Sequence, residues 1–272
     1  MNSRSAALTF LALITVPGVA HGQLQDAGPF IWRADLIGVT QYSWRGIRRN
    51  DHFALQPDLA LGYAHNGYSV SIGGRASGDT ELDEFFDDYF QEFEAWGQLA
   101  VRKGGLTASL GAMRFWYRAP ASATVHSTEA YGWIRWQLGR WAPAVQAWTG
   151  VQGVHGSYIE PSITRYHIAN PFAGPGASLS SRLSAGFQLG DRNPDSPLIP
   201  GAARTGLTFV ELATVLRVAL DLGPVTLVTS LGPALRVNRD PAAKLQPDGS
   251  SDKVHLSFPL QVGFALPGRR RQ

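Results

Sequence analysis

Apolar and polar side chains alternate along the stretch from Phe30 to Gly46, FIWRADLIGVTQYSWRG. Its even-numbered positions are apolar, with aromatic residues near both ends, and its charges fall on odd-numbered positions. Successive side chains of a β-strand point to opposite faces, so the stretch predicts a strand with one apolar face and one polar face. A strand of a soluble β-sandwich alternates in the same way as a strand of a membrane barrel, so a choice between these two folds depends on whether the pattern recurs along the chain.

The spacing of the aromatic residues fits a strand that crosses a membrane. Trp32 and Tyr42 are separated by ten residue steps. Ten steps of about 3.3 Å, tilted by about 40°, rise about 25 Å along the barrel axis. This rise matches the apolar band of an outer-membrane barrel, in which lipid covers one face of each strand and the other face lines a polar lumen.

The alternation recurs about twelve times along the chain. The predicted strands cover residues 30–46, 53–65, 68–77, 90–101, 106–117, 128–138, 144–154, 158–168, 179–189, 205–222, 225–237 and 254–266. Connections after even-numbered segments are short, as at Asn66-Gly67, whereas those after odd-numbered segments are mostly longer, as at 78–89 and 190–203. Short periplasmic turns with long extracellular loops are typical of outer-membrane proteins. We therefore expect an all-β fold, a transmembrane antiparallel up-and-down β-barrel of about 12 strands.

Residues 1–22 have the pattern of a secretory signal peptide. Arg4 supplies the positive charge, residues 6–16 form an apolar core, and Ala20-His21-Gly22 is a small-x-small cleavage site. The apolar run is too short to span a bilayer as a helix. We therefore expect a signal peptide over 1–22 and a single outer-membrane barrel over 23–272, located in the outer membrane of a bacterium.

Composition narrows the expected partners. The chain has no cysteine, 30 glycines, 8 tryptophans and a net charge of +3. This small charge argues against nucleic acid as a partner, because nucleic-acid binding needs a dense basic patch. Seven scattered histidines suggest no metal site, and no motif suggests a cofactor. The expected partners are outer-membrane lipid, lipopolysaccharide and small polar solutes. Prolines inside the predicted strands remove ladder donors and mark irregular points: Pro57, Pro161, Pro233 and Pro259.

The polar faces of the predicted strands carry charges of both signs. We expect these side chains to line a pore: Arg33, Asp35, Asp58, Arg75, Glu92, Glu94, Glu129, Arg135, Arg182, Glu211, Arg217, Asp221 and Arg236. They would form either a constriction that sets solute selectivity or a network of ion pairs that fills and seals the barrel. The near balance of the two signs argues against a strong preference for anions or cations.

The stretch from Asp79 to Glu94 contains eight carboxylates and no basic residue. Oxygen ligands of this kind suit hard cations such as calcium. The spacing matches no EF-hand, however, and a solvated acidic loop is the favoured interpretation.

Two short motifs resemble a known family. The Tyr42-x-Trp44-Arg45-Gly46-Ile47 motif, followed by Ala54-Leu55-Gln56 and Gly67-Tyr68, is similar to the amino-terminal signature of the TorF family of porin-like proteins. The segment Gly156-Ser157-Tyr158-Ile159-Glu160 resembles that family's G-x-Y-x-E segment. The resemblance implies an outer-membrane, porin-like protein, although Phe53 stands where the family usually has proline.

Passive diffusion of small polar solutes or ions is therefore the expected function, and no enzymatic activity is expected. One alternative is an outer-membrane acyl hydrolase, because His155 and Ser157 lie two residues apart and a His–Ser pair is the minimum for nucleophilic ester cleavage. Another is a closed structural barrel whose loops bind a partner.

Overall fold

The structure is a computed structural model that describes most of the chain from Phe30 onward. It describes residues 30–39, 42–44, 47–50, 54–83, 88–118, 124–152, 156–168, 176–190, 205–222, 226–238, 254–257 and 260–265. The predicted signal peptide, residues 1–22, lies outside these ranges. The described residues contain no helix long and apolar enough to cross a membrane.

The described residues form sixteen β-strands. In chain order these are β1 (Phe30–Val39), β2 (Tyr42–Trp44), β3 (Ile47–Asn50), β4 (Ala54–His65), β5 (Tyr68–Asp83), β6 (Asp88–Lys103), β7 (Leu106–Arg118), β8 (Thr124–Trp136), β9 (Trp141–Gln152), β10 (Ser157–Ile168), β11 (Gly176–Leu189), β12 (Gly206–Asp221), β13 (Thr226–Leu231), β14 (Ala234–Asn238), β15 (Val254–Ser257) and β16 (Leu260–Ala265).

The sheet closes on itself to form a barrel. From β4 to β12, each strand pairs antiparallel with the next strand along the chain. β12 continues into β13 and β14, and β16 pairs with β1, where Leu36 lies opposite Phe264. β2 and β3 form a separate two-stranded sheet. This corrects the first predicted strand, because the wall strand ends at Val39 rather than at Gly46 and Tyr42 does not share a strand with Trp32. Within the described residues the ladder closes through β1 and β16, whereas β15 pairs with β14 alone. A closed ladder is what the apolar layer of a membrane requires of a β-structure.

The wall has twelve strands, which confirms the predicted number. β13 and β14 both pair with β12, so together they occupy one wall position, and β15 and β16 occupy the next one by pairing with β14 and β13. The break between β13 and β14 falls at Gly232-Pro233, where the Thr214 amide donates to the Pro233 carbonyl over 2.9 Å. Proline has no amide hydrogen to donate, which accounts for a break here.

Pro57 lies inside β4 and disturbs only one of its two ladders. Pro57 pairs with Leu36 of β1, but the pairing of β4 with β5 skips Gln56 and Pro57. On the inner face, the Gln56 side-chain amide donates to the Ser77 hydroxyl over 3.1 Å, which joins the two strands at the gap.

The two ends of the barrel differ. The turn end is formed by short connections such as Asn66-Gly67 and the 137–140 turn, and the loop end by connections such as 40–53, 190–205 and 239–253. Asn66 and Gly67 have φ values of 49° and 81°, and positive φ at both central residues is the geometry of a tight type I′ hairpin.

The structure corrects the loop predicted over residues 78–89, because both flanking strands extend into it. β5 continues to Asp83 and β6 begins at Asp88, with Leu82 opposite Tyr89, so the first half of the acidic stretch is mainly a β-hairpin. The register shifts between Gly78 and Leu82, and this irregularity interrupts the side-chain alternation while backbone pairing continues beyond it. Only residues 84–87 separate the two strands.

Side chains of the wall strands divide between two environments. Along β4, Ala54, Gln56 and Asp58 are buried while Leu55 and Leu59 are exposed. Exposed leucines, valines and isoleucines recur on the same outward face of the other strands. The buried residues therefore fill the lumen, and the outer face is an apolar surface suited to lipid.

Candidate functional site: the barrel lumen

Most of the charged residues predicted to line a pore do face the lumen. The inward-facing positions, assigned from strand alternation and burial, include Asp35, Asp58, Arg75, Glu92, Glu94, Glu129, Arg135, Arg182, Glu211, Arg217 and Arg236. Arg33 and Asp221 occupy inward positions by alternation, but their side chains are outside the described set. Whether the whole set lines an open pore stays a prediction.

Three ion pairs between described side chains join neighbouring strands inside the lumen. Arg75 lies 3.1 Å from Asp58 and Arg236 lies 2.6 Å from Glu211, and in each pair the two residues are directly opposite in the ladder. The Arg236 and Glu211 side chains are only 7% and 3% exposed. Buried charges of this kind need a partner, because an isolated one pays a large desolvation penalty.

The third ion pair belongs to a larger network. Arg182 lies 2.5 Å from Glu160, which also accepts hydrogen bonds from the Tyr158 hydroxyl over 3.1 Å and from the Gln146 amide over 3.5 Å. Glu160 is absent from the predicted set. Its segment alternates poorly in sequence, because Pro161 and Ser162 interrupt the pattern, although Glu160 is two residues from the inward-facing Tyr158.

The charges of the lumen separate into two arcs. The acidic arc, on the adjacent wall strands β1, β4, β5 and β6, consists of Asp35, Asp58, Arg75, Glu92 and Glu94. The basic arc, on the adjacent strands β10, β11, β12 and β14, consists of Glu160, Arg182, Glu211, Arg217 and Arg236. Three strands separate the arcs on one side and one wall position separates them on the other, so the two arcs face each other across the lumen. The described side chains give the acidic arc a net charge of −3 and the basic arc a net charge of +1, and with Arg33 and Asp221 at their inward positions these charges become −2 and 0. An open depression of about 460 Å³ is lined by Asp35, Asp58, Arg75 and Glu94 of the acidic arc together with outward-facing residues such as Leu59 and Phe93.

Large side chains also face the lumen, and most of them were not predicted to do so. They are Trp96, Met113, Phe115, Tyr131, Trp133, Trp148, Tyr158, Tyr166 and Phe209, and all are buried. The sequence indicates the position of some of them. Trp133, for example, lies two residues before Arg135, which was predicted to face inward, so alternation alone places it in the lumen.

Several of these rings lie flat against the wall over glycines of a neighbouring strand. Gly111 is directly opposite Tyr131, and a Cβ atom at Gly111 would come within 2.6 Å of the Tyr131 ring. The ring crosses β7 at this point, and its hydroxyl donates to the Gln98 side-chain oxygen on β6 over 3.3 Å. Trp96 covers Gly73 in the same way, and Phe209 and Tyr158 cover Gly186.

The rings and ion pairs pack against one another inside the lumen. Trp148 and Tyr158 contact each other with ring centroids 5.5 Å apart, and Arg135 donates to the Tyr166 hydroxyl while its guanidinium lies over the Tyr166 ring. The side chains of the Arg182–Glu160 pair, the most exposed of the three pairs, are 17% and 13% exposed. Small barrels are filled by their own side chains in this manner.

The residues of the hydrolase alternative are only partly described. Ser157 lies at the loop end of β10, where its hydroxyl donates to the Thr149 hydroxyl over 3.0 Å. His155 lies outside the described residues, so the proposed pair stays untested. Among the side chains that the structure describes, no group of three or more potential metal ligands converges.

Comparison with known proteins supports the fold. No protein-family model matches the chain, and no curated protein matches it in sequence. Among solved structures, the chain is similar to the COG4313 outer membrane channel from Pseudomonas putida F1, with a TM-score of 0.50 and 11% identity over 89% of this chain and 96% of that one. LpxR from Salmonella typhimurium is similar with a TM-score of 0.49 and 9% identity, covering 86% and 99% of the two chains. The CymD monoaromatic hydrocarbon channel has a TM-score of 0.45 and 11% identity, over 97% and 94%. The architecture is that of outer-membrane β-barrels.

Proposed function

We propose that this chain is a narrow outer-membrane channel for passive diffusion of small polar solutes, a porin-like protein of the TorF type rather than an enzyme. The observation behind the proposal is the distribution of charge in the lumen, where carboxylates dominate one wall and ion-paired arginines lie on the opposite wall. Opposed charges of this kind orient a dipolar solute and compensate for part of its lost hydration.

The packing of the lumen sets the expected size limit. Rings such as Tyr131 and Trp96 lie flat over glycines and leave only part of the cross-section for solute. Passage of small amino acids and monosaccharides is therefore expected, together with exclusion of larger oligosaccharides. The near balance of charge predicts weak discrimination between anions and cations.

Solute flux into liposomes tests this proposal. Liposomes containing the refolded protein should swell in glycine or a pentose and fail to swell in a trisaccharide. Tyr131→Ala, which removes a lumen ring, should raise the flux of a hexose relative to glycine. Trp136→Ala is the matched control, because Trp136 is an exposed aromatic residue on the outer face of the same strand. No flux of any solute through folded wild-type protein would contradict the proposal and favour a sealed structural barrel.

The hydrolase alternative is separated from the channel by a lipid-ester assay. Wild-type protein and Ser157→Ala are expected to be equally inactive toward an ester-linked lipid under conditions where wild type supports solute flux. Ester cleavage by wild type that disappears in Ser157→Ala would contradict the channel-only proposal.

A further inference from the structure

The outward face of the barrel carries its own charge pattern. The carboxylates whose side chains are described all face the lumen, whereas the described charged residues on the outward strand faces are basic, including Lys103, Arg114 and Arg165. A lipid-facing surface without carboxylates complements the phosphates of membrane lipids.

One of these cations belongs to a polar cluster at the turn end. Arg165 of β10 is exposed and lies over the ring of Trp141, with 5.3 Å between the guanidinium carbon and the ring centroid. Trp141 begins β9 directly after the turn that contains the exposed Arg140. A tryptophan and long basic side chains at a strand end are typical of a membrane boundary, where basic groups extend toward lipid phosphates.

A chain of side-chain hydrogen bonds leads from this cluster across the outer face. His167 Nε2 and the Ser181 hydroxyl are 2.9 Å apart, and the Ser181 and Thr214 hydroxyls are 3.0 Å apart. These side chains come from β10, β11 and β12, and Ser181 is also directly opposite Arg165. The register of β10 shifts between Tyr166 and Ile168, so His167 is the extra residue of a bulge that aims its ring toward Ser181.

The surroundings of this chain are apolar. Leu183, Leu212 and Leu216 are exposed on the same outward face of β11 and β12. Hydrogen bonds within this row leave one donor at its end, which a polar group of a lipid can accept from. Leu183 and Leu212 lie farther from the turn end than Ser181 and Thr214, whereas Leu216 lies nearer to it. A glycerophospholipid likewise places its phosphate at the boundary, its ester carbonyls slightly deeper and its acyl chains deepest.

We propose that Arg165, His167, Ser181 and Thr214 form a binding site for an anionic glycerophospholipid of the leaflet at the turn end. Arg165 and His167 contact the lipid phosphate, with Arg140 nearby. When His167 Nε2 donates to Ser181 and Ser181 donates to Thr214, the Thr214 hydroxyl keeps its proton and donates it to an ester carbonyl. The acyl chains lie over Leu183 and Leu212. Among the described residues no carboxylate contacts His167, so these hydrogen-bonded side chains are suited to lipid binding rather than to ester cleavage. Solute conduction plays no part in this site.

Native mass spectrometry of the refolded, detergent-solubilised protein tests the site with ester-linked phosphatidylglycerol as the probe. Wild type should retain this lipid, and Arg165→Gln should retain it about fivefold less well, as expected for the loss of one cation from a lipid phosphate. Arg114→Gln is the matched control, because Arg114 also faces outward and lies over a tryptophan, Trp116, at 5.5 Å. Equal retention by wild type and Arg165→Gln, or no retention by wild type, would overturn the proposal.

A second lipid distinguishes the hydroxyls from the cations. Wild type should prefer ester-linked to ether-linked phosphatidylglycerol by about threefold, the order expected for one hydrogen bond, and Thr214→Val should abolish this preference. An unchanged preference in Thr214→Val would contradict the role of the hydroxyl chain. Single-channel conductance of all variants should match wild type, because the substituted side chains lie outside the lumen; this readout confirms folding and separates a failed lipid site from a failed channel.

Discussion

At the scale of single residues, the lumen depends on pairs whose members come from neighbouring strands. Tyr131 needs the absence of a side chain at Gly111, and Arg236 needs Glu211. Sequence alternation placed most of the charged residues on the correct face but could not identify their partners, because partners are fixed by strand register. The flat packing of rings on glycines could not be predicted from the sequence either, because it depends on which residue of the neighbouring strand lies opposite each ring.

Gly111→Ala tests the packing of the Tyr131 ring. The new methyl group would come within 2.4 Å of the Gly97 carbonyl oxygen and within 2.6 Å of the Tyr131 ring, so both the backbone and the ring must shift and the ring's hydrogen bond to Gln98 is strained. The free energy of unfolding should fall by about 1–3 kcal/mol, the usual cost of overpacking, as measured by urea titration of the refolded barrel. Gly97→Ala on the adjacent strand is the control, because the nearest atom there is 3.7 Å away and little change is expected. Equal stability of both variants would argue against this packing.

Removal of one member of a buried ion pair should cost more than removal of both. Arg236→Met leaves the Glu211 carboxylate buried without its cation, and the free energy of unfolding should fall by about 3–5 kcal/mol. The double variant Arg236→Met/Glu211→Leu should regain most of this loss because no uncompensated charge remains. Denaturant titration of the two proteins provides the comparison. Additive losses in the double variant would show that the two side chains do not act as a pair.

At the scale of elements, each wall strand has one face toward lipid and one toward the lumen. The alternation predicted the twelve wall strands, and most boundaries differ from the structure by only a few residues. The acidic hairpin was missed because β5 and β6 extend past a register shift that disturbs the alternation. The break at Gly232-Pro233 was anticipated from proline chemistry, whereas the pairing of both halves with β12 required the structure.

Depth along β7 tests whether this strand crosses a bilayer. Leu110 and Leu106 both face outward, but Leu106 begins β7 next to the turn end. Leu110→Arg should lower the free energy of unfolding from lipid vesicles by about 2–4 kcal/mol, whereas Leu106→Arg should cost about 0–1 kcal/mol, because the penalty for arginine falls toward the membrane boundary. Equal penalties at the two positions would contradict the assigned depth.

At the scale of the whole molecule, the enclosed charged lumen and the apolar outer face both follow from closure of the wall between its first and last strands. The alternation of the sequence made a barrel the best interpretation, but it could not show that β1 and β16 meet. Closure pairs the backbone hydrogen-bonding groups of β1 with those of β16, encloses the charged arcs and gives the outer face its apolar surface. The division of charge between lumen and outer surface is a consequence of this closure.

A disulfide between the first and last strands tests closure directly, since the chain has no native cysteine. Leu36→Cys/Phe264→Cys places cysteines at directly opposite ladder positions, where the Cα separation of about 4.5–5.5 Å is within reach of a disulfide. Mild oxidation of the refolded protein should cross-link this pair. Leu36→Cys/Leu260→Cys is the control and should remain reduced, because its second position is displaced by four residues along β16. Absence of a cross-link in the first variant would show that the wall is open.

Single-channel recording of refolded protein in a planar bilayer with a salt gradient tests most directly whether the chain is a membrane-spanning barrel with a narrow conducting lumen between opposed charges. We expect small, stable conductance steps with a reversal potential close to zero. Arg182→Gln, which removes a cation from the basic arc, should shift the reversal potential toward cation preference. Absence of conductance from protein shown to be folded and inserted would contradict the account and show that the rings and ion pairs seal the lumen.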